Sequence, residues 1–167
     1  ITDKKTRAEL RSALEQLRGV KAEYVLGKHR INDFKKCDVV LKAAGIPLDS
    51  PYIAAARKHN VPVKMDESWF AEYCPAPIIG ITGTRGKTTV THLVHAILKK
   101  HKERVHLGGN IIGVATLPLL PKVRKSDKVV LELSSWQLQG WHDEKLSPHI
   151  AVITNILEDH LNYYKGS

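Results

Sequence analysis

A lysine and two threonines close a glycine-rich turn near the middle of the chain, with the spacing of a phosphate-binding loop. The run GITGTRGKTT, residues 80–89, follows a short apolar segment and precedes an amphipathic one. Glycines let backbone N–H groups curl around phosphate oxygens, a lysine neutralises the outer phosphates and a hydroxyl reaches Mg²⁺. Lys87 and Thr88 supply the last two groups. The strict pattern requires glycine where this chain has Ile81, so the motif alone is imperfect. The predicted nucleotide-binding residues are Gly83, Thr84, Arg85, Gly86, Lys87, Thr88 and Thr89.

Polar clusters also follow two later apolar runs. Glu132 ends the run Val129-Val130-Leu131, where a carboxylate would lie near Mg²⁺ as a Walker B acid does. His160 closes the segment 155–160 after the run 150–153, and it could bind a metal through one imidazole nitrogen. The alternative for this segment is an ordinary polar loop. Ligands of open α/β sheets bind beyond the carboxyl ends of the strands, so we expect these clusters to share a site.

The elements that position these clusters form two successive α/β patterns. In the first half we predict a strand from Ile1, a helix over 6–18 behind a Thr6–Glu9 capping box, and strands over 23–26 and 38–41 with a short helix between them. A helix from Ser50-Pro51 and a strand over 62–65 follow. This order indicates a small unit with a largely parallel sheet. The prolines at 75 and 77 predict a domain boundary, giving domains over 1–74 and 78–167.

In the second half the sequence predicts a helix over 87–100 behind the phosphate-binding loop. Val90, Leu93, Val94 and Ile97 form its apolar stripe. Two strongly apolar strands follow at 129–131 and 150–153, and such runs suit a parallel sheet that is covered on both faces. The fold class is therefore α/β, with parallel sheets in both domains.

Composition excludes several classes of function. The 167 residues carry a formal charge of +9. Residues 1–74 hold 14 Lys and Arg against 10 Asp and Glu, and residues 75–167 hold 12 against 7, so the positive charge is spread evenly and nucleic-acid binding is not expected. No run of about 18 apolar residues occurs, so we expect no membrane insertion. Two distant cysteines fit a reducing compartment, and we expect a cytoplasmic location.

The runs GTRGKTT, LGGN, ELSSWQLQ and TNILEDHLNYY, in this order, closely resemble those of the Mur ligases of peptidoglycan synthesis. Within that family, ELSSWQLQ is similar to the branch that adds D-glutamate. Residues 1–4 and 45–51 resemble the uracil- and diphosphate-binding parts of the same branch, so the resemblance covers essentially the whole chain. It implies a small Rossmann-like domain that binds a UDP-sugar, followed by part of a P-loop ATPase domain.

The resemblance also implies roles for particular residues. Lys87 would contact ATP, and Thr88, Glu132 and His160 would hold Mg²⁺, with Lys87, Glu132 and His160 as the catalytic set. The implied substrate-binding residues are Thr2, Asp3, Lys4, Gly45, Asn110 and Ser134.

The implied reaction joins D-glutamate to UDP-N-acetylmuramoyl-L-alanine through an acyl phosphate, with ATP and Mg²⁺. The resemblance further implies a fragment, because the first strand and a later amino-acid-binding domain have no counterpart here. We therefore expect that the chain alone cannot complete catalysis, and that exposed sheet edges allow self-association. The alternatives are a P-loop NTPase or kinase, and a non-catalytic nucleotide-sugar-binding module.

Overall fold

The computed structural model describes residues 1–47 and 49–164, which form an α/β protein with parallel sheets. Leu48, within the predicted diphosphate-binding segment, and residues 165–167, at the end of the predicted second domain, lie outside the described residues. The chain divides into two compact units. The first comprises Ile1–Val40 and Leu48–Val63, and the second comprises Leu41–Pro47 and Lys64–Ser167. No helix in the described part of the chain is long and apolar enough to cross a bilayer.

The first unit follows the predicted order of strands and helices. Its elements are β1 (Thr2–Asp3), α1 (Arg11–Gln16), β2 (Val25–Leu26), α2 (Ile31–Lys36) and α3 (Pro51–Lys58). β1 pairs with β2 in parallel. β3 (Val40–Leu41) and β4 (Val63–Lys64), each at a point where the chain passes between units, form a separate two-stranded sheet. The strands predicted to form one sheet therefore form two separate two-stranded sheets.

The first helix is shorter than predicted. The Thr6 amide donates to Glu9 Oε2 (2.7 Å) and the Glu9 amide donates to Thr6 Oγ1 (3.4 Å), so the predicted capping box forms. Residues 7–10 form turns, and the helix begins only at Arg11. None of its residues is buried. Helix stability comes mainly from packing of an apolar face, and this short helix has little of it.

The second unit is built on a four-stranded parallel sheet. Its strands are β5 (Ile78–Thr82), β6 (Val105–Gly109), β7 (Lys128–Glu132) and β8 (Ile150–Ile153), in the order β6-β7-β5-β8. Its helices are α4 (Asp66–Tyr73), α5 (Lys87–Lys100), a 3-10 helix (Leu117–Lys122), α6 (Ser135–Asp143) and α7 (Leu161–Tyr164). The predicted helix over 87–100 is confirmed with both of its bounds.

α4 was missed by the sequence analysis, and it packs in the second unit, not the first. Phe70 of this helix is fully buried in a core with Ile78, Leu131 and Trp141. The second unit therefore begins before the boundary predicted at 75–77. The prolines there mark a turn in the chain, but α4, which precedes them, packs into the core of the second unit. The assignment of residues 1–74 and 78–167 as functional domains stays a prediction.

Burial differs strongly between the two apolar strands. β7 is covered on both faces, since its last four residues are all buried, as the sequence predicted. β8 at the sheet edge is not, because Ile150 is 56% exposed and Ile153 is 61% exposed. The apolar stripe of α5 is also partly open, with Leu93 57% exposed and Ile97 48% exposed. The expectation of a sheet covered on both faces is therefore wrong for β8.

Candidate nucleotide site

The carboxyl ends of the four parallel strands lie along one edge of the sheet, an edge that runs across all four strands. Gly83 follows β5, Asn110 follows β6, Glu132 ends β7 and Thr154 follows β8. The register places Ile81 opposite Glu132, and Thr82 opposite Ile153. The polar clusters that the sequence analysis identified therefore lie at the same edge, as predicted from strand polarity.

The loop between β5 and α5 has the backbone of an anion-binding turn. Gly83 (φ +130°) and Gly86 (φ +80°) adopt conformations that side chains rarely tolerate, and Gly86 is the N-cap of α5. The helix N-terminus carries partial positive charge and unsatisfied N–H groups. Lys87 Nζ donates to the carbonyl oxygens of Gly83 (2.8 Å) and Thr84 (3.1 Å), so the ammonium group lies over the loop. Thr88 and Thr89 follow in the first turn and are exposed.

The segment after β8 clamps this loop. Asn155 Oδ1 accepts from the Arg85 amide (2.9 Å), and Asn155 Nδ2 donates to the Arg85 carbonyl oxygen (3.1 Å). Thr154 Oγ1 donates to the same carbonyl oxygen (2.6 Å), and the Thr84 amide donates to the Asn155 carbonyl oxygen (3.0 Å). A Cβ on Gly83 would overlap Thr154 Oγ1. From the sequence, the segment 155–160 was singled out for His160, and neither Thr154 nor Asn155 was assigned a role of its own. Their place directly after a strand of this sheet is the signal that could have identified them.

Glu132 is the buried acid of the site. Its side chain is 2% exposed, its Oε1 accepts from Asn110 Nδ2 (3.1 Å), and its Oε2 is buried with no hydrogen-bond partner in the described structure. The Asn110 amide also donates to the Glu132 carbonyl oxygen (2.8 Å). A buried carboxylate oxygen without a partner is costly unless a cation neutralises it, so this atom fits a Mg²⁺ ligand.

The described residues contain no group of three His, Cys, Asp or Glu side chains that could hold a metal ion. Mg²⁺ commonly rests on one or two carboxylates and keeps water and phosphate oxygens as its remaining ligands. Glu132, with the hydroxyl of Thr88 from the phosphate-binding loop, is a donor set of that kind.

Ser134 begins α6 through a reciprocal cap. Its amide and its Oγ both donate to Gln137 Oε1 (2.8 Å each), and its Oγ accepts from the Gln137 amide (3.3 Å). The capping box aims the N-terminus of α6 toward the same edge of the sheet. Gln137 was not singled out from the sequence, but the spacing Ser-x-x-Gln is the capping-box signal that indicates it.

His160 lies against an aromatic side chain of α6. Its ring centroid is 4.4 Å from that of Trp136, with the planes inclined by 33°. Trp136 also contacts Tyr163 at 5.5 Å. His160 itself has φ +52°, a strained backbone for a non-glycine residue. The aromatic contacts hold the imidazole at the mouth of the site.

A cavity of about 540 Å³ unites most of these groups. Six of the predicted site residues line it, namely Gly83, Thr84, Lys87, Asn110, Ser134 and His160. Glu132 is buried directly behind Asn110. The predicted residues Arg85, Gly86, Thr88 and Thr89 do not line the cavity, and they belong to the loop and first helical turn beside it.

The predicted UDP-sugar contacts outside this cavity are divided between the units. Thr2 Oγ1 lies 2.7 Å from His29 Nδ1, and Asp3 Oδ1 accepts from the Lys5 amide (2.8 Å) in the first unit. Lys4 is exposed there. Gly45 is exposed in the segment Leu41–Pro47 of the second unit.

The part of the chain that forms this site also matches a known protein family. The Mur ligase middle domain family matches residues 81–167, which are 87 of the 167 residues. The chain belongs to the Mur ligase family. This match starts within β5 and includes the phosphate-binding loop, Asn110, Glu132 and His160.

Several curated proteins are similar along nearly the whole chain. A UDP-N-acetylmuramoylalanine--D-glutamate ligase from Borreliella afzelii (strain PKo) is 43% identical over 168 residues, covering 99% of this chain and 36% of that protein. A protein of the same name from Roseiflexus sp. (strain RS-1) is 39% identical, covering 97% of this chain and 34% of that protein. This Mur ligase chain thus spans about a third of the length of the curated relatives it matches.

Among solved structures, a pseudomurein peptide ligase type C from Methanothermus fervidus matches 96% of this chain and 33% of that chain. The TM-score is 0.40 and the sequence identity is 25%.

Proposed function

We propose that the chain carries the ATP-binding and UDP-sugar-binding parts of a ligase that joins D-glutamate to UDP-N-acetylmuramoyl-L-alanine. ATP and Mg²⁺ are the proposed cofactors, and the cytoplasm is the proposed compartment. The family membership supports the reaction class, and the names of the relatives from Borreliella afzelii and Roseiflexus support the choice of D-glutamate.

One observation carries the nucleotide part of this proposal. The unpartnered Oε2 of buried Glu132 lies on the strand next to the one that leads into the phosphate-binding loop. An ATPase site needs a carboxylate for Mg²⁺ and a lysine for the phosphates at the same sheet edge. An ordinary structural glutamate at this position would have both oxygens hydrogen-bonded.

Lys87 and the loop amides would bind the phosphates of ATP. Lys87 leaves the Gly83 and Thr84 carbonyl oxygens to do so, and the loop amides provide the anion-binding turn. Mg²⁺ on Glu132 and Thr88 would offset negative charge as a phosphoryl group passes to a carboxylate. His160, which lines the same cavity, is the remaining proposed catalytic residue and the third proposed Mg²⁺ ligand.

The substrate carboxylate is proposed to enter beside Asn110 and Ser134. Their side chains line the cavity near Glu132, and each is fixed by the hydrogen bonds described above. The carboxylate of the substrate's L-alanine attacks the γ-phosphorus of ATP and releases ADP, which gives an acyl phosphate. The amine of D-glutamate then attacks the acyl carbon and phosphate leaves, so an amide forms. Thr2, Asp3, Lys4 and Gly45 are the proposed contacts for the uridine diphosphate.

Two binding measurements test the proposal on this chain. Titration with a fluorescent ATP analogue should show saturable binding that strengthens with Mg²⁺, and Lys87→Ala should weaken it at least about tenfold, since a charge-assisted contact contributes about 1.5–3 kcal/mol. Lys99→Ala, an exposed lysine in the same helix, is the matched control. Calorimetry should show that UDP-N-acetylmuramoyl-L-alanine binds and that UDP competes with it.

The alternatives predict other results. A simple P-loop NTPase would bind the ATP analogue and ignore the UDP-sugar. A nucleotide-sugar-binding module would bind the UDP-sugar, and Lys87→Ala would change nothing. Either pattern would refute the ligase proposal.

We also propose that a second copy of the chain pairs with the edge of β8. In the described structure this strand pairs only with β5, and it exposes Ile150 and Ile153 beside its unpaired backbone groups. Exposed flat edges with apolar side chains are templates for strand addition.

A further inference from the structure

Two neighbouring acids at the start of α4 bond to segments beside the nucleotide site without lining its cavity. Asp66 and Glu67 are the first two residues of the helix. Glu67 is 7% exposed, which is rare for a glutamate unless it is paired. The partners of both side chains lie on segments that flank Glu132.

Glu67 acts on the segment after Glu132. Its Oε1 accepts from Gln137 Nε2 at 2.5 Å. With its amide nitrogen fixed in this way, Gln137 must present Oε1 to the amide and hydroxyl of Ser134, both at 2.8 Å. Ser134 is two residues beyond Glu132. The side chain of Glu67 therefore sets the orientation of the Gln137 amide, and through it the N-terminus of α6.

Asp66 bonds to the segment that follows β6, whose last residue, Gly109, pairs with Glu132. Its Oδ2 accepts from the Thr116 amide (3.2 Å), and its Oδ1 from the Leu117 amide (3.4 Å). Thr116 is fully buried, and its Oγ1 accepts from the Gly109 amide (3.0 Å). Gly109 precedes Asn110, whose amide and side chain are both bonded to Glu132.

We propose that Asp66 and Glu67 are positioning residues for the Glu132 site. Asp66 braces the segment whose Asn110 bonds to the Glu132 carboxylate, and Glu67 braces the segment that follows Glu132 in the chain. The Asp66 brace runs through Thr116 and Gly109 to Asn110, and the Glu67 brace runs through Gln137 to Ser134. α4 is placed closely enough to do this, because a Cβ on Gly140 of α6 would lie 3.0 Å from Met65 and Ser68 side-chain atoms. Burial raises the pKa of Glu67, which is consistent with a carboxyl kept in place by its neighbours and away from water.

Amide hydrogen exchange tests the two braces separately. Glu67→Ala should speed exchange in the segment 133–138 by about five- to tenfold, the effect of losing about one hydrogen bond, and leave segment 107–117 unchanged. Asp66→Ala should do the reverse. Glu72→Ala is the matched control, since Glu72 lies on the same helix and pairs with Lys64 (2.9 Å) away from these segments. Equal exchange in the control and both variants would overturn the proposal.

Milder variants keep the test valid if the alanine substitutions unfold the chain. Glu67→Gln retains an oxygen that can accept from Gln137, so protection of 133–138 should be restored. Glu67→Asp shortens the side chain by one methylene and should not restore it. The opposite pattern would mean that charge, and not the orientation of Gln137, is what matters.

The consequence for the metal rests on the function proposed above. The strengthening of ATP-analogue binding by Mg²⁺ should fall about tenfold in Glu67→Asp and stay at the wild-type value in Glu72→Ala. If the wild-type chain binds no nucleotide, the proposed function fails, while the exchange result still decides whether the braces exist. If the wild type binds and Glu67→Asp shows the same strengthening by Mg²⁺ despite faster exchange, the positioning role is refuted.

Discussion

Replacement of Asn155 by alanine should loosen the phosphate-binding loop without disturbing the sheet. Asn155 makes two hydrogen bonds to the peptide groups of Arg85, one through each atom of its side-chain amide. The Thr84 amide bonds to the main chain of Asn155, and that bond survives the substitution. The bond from Thr154 Oγ1 to the Arg85 carbonyl oxygen (2.6 Å) survives as well. The loop therefore loses only the two bonds that the Asn155 side chain makes.

The size of the effect follows from these two bonds. Each contributes about 0.5–1.5 kcal/mol net, so the clamp stabilises the closed loop by about 1–3 kcal/mol. Both bonds are near solvent, where water replaces part of the loss, so we expect about 1–2 kcal/mol. A nucleotide that needs the closed loop should then bind about 5- to 30-fold more weakly.

Equilibrium titration with the fluorescent ATP analogue measures this loss, and the thermal midpoint of the free chain measures any general damage. Asn32→Ala, at an exposed position of α2, is the control for the change of residue type. We expect Asn155→Ala to lower affinity while the thermal midpoint changes little. Affinity within about twofold of the wild type would refute the clamp, because it corresponds to less than about 0.5 kcal/mol.

Three further substitutions test other features. Glu132→Gln should keep the fold but lose most of the stabilisation of the folded chain by Mg²⁺ and ADP. For the wild type, that stabilisation is about 2.7 kcal/mol at a ligand concentration of about 100 times the Kd. If Mg²⁺ and ADP raise the thermal midpoint of Glu132→Gln as much as that of the wild type, Glu132 is excluded as a metal ligand. Burial raises the pKa of Asp127, but hydrogen bonds from the Arg124 amide and His106 outweigh it and hold the pKa below its usual value. The resulting stability is present at neutral pH and is lost as pH falls below about 4. Asp127→Asn should therefore be less stable at neutral pH, and its free energy of unfolding, measured with denaturant, should fall less at acid pH than that of the wild type. Ile153→Lys should reduce self-association measured by light scattering, and an unchanged mass would exclude the β8 edge as the interface.

Strand polarity is the part of the site that the sequence predicts well. Hydrophobic runs at 78–79, 129–131 and 150–153 identify strands whether or not their partners are known. Once the sheet is parallel, the residues after each run must meet at one edge, so Lys87, Glu132 and the segment after β8 could be placed together.

The sequence could not reveal that a side chain of α4 fixes residues of the site in place. Glu67 and Gln137 are 70 positions apart, and nothing in the local pattern of α4 distinguishes a buried glutamate from an exposed one. The exposure of β8 was missed for a related reason. An apolar run predicts a strand, but whether other elements pack over that strand depends on residues elsewhere in the chain.

The two acids of α4 and the clamp at Asn155 address one physical difficulty of a parallel-sheet site. Hydrogen bonds of the sheet fix the backbone of Glu132, which ends β7, and the Leu133 amide still donates to the Ile81 carbonyl oxygen (2.8 Å). The residues directly after Leu133 belong to no strand. Beyond that point each loop can relax unless side chains from elsewhere hold its amides. Gln137, oriented by Glu67, holds the Ser134 amide, and Asp66 holds the Thr116 and Leu117 amides after Asn110. Asn155 holds the Arg85 amide of the phosphate-binding loop. If each side chain holds a separate loop, the losses in free energy of binding the ATP analogue caused by Glu67→Asp and Asn155→Ala should add in the double variant. A loss smaller than the sum by more than about 0.5 kcal/mol would instead show that the loops open together.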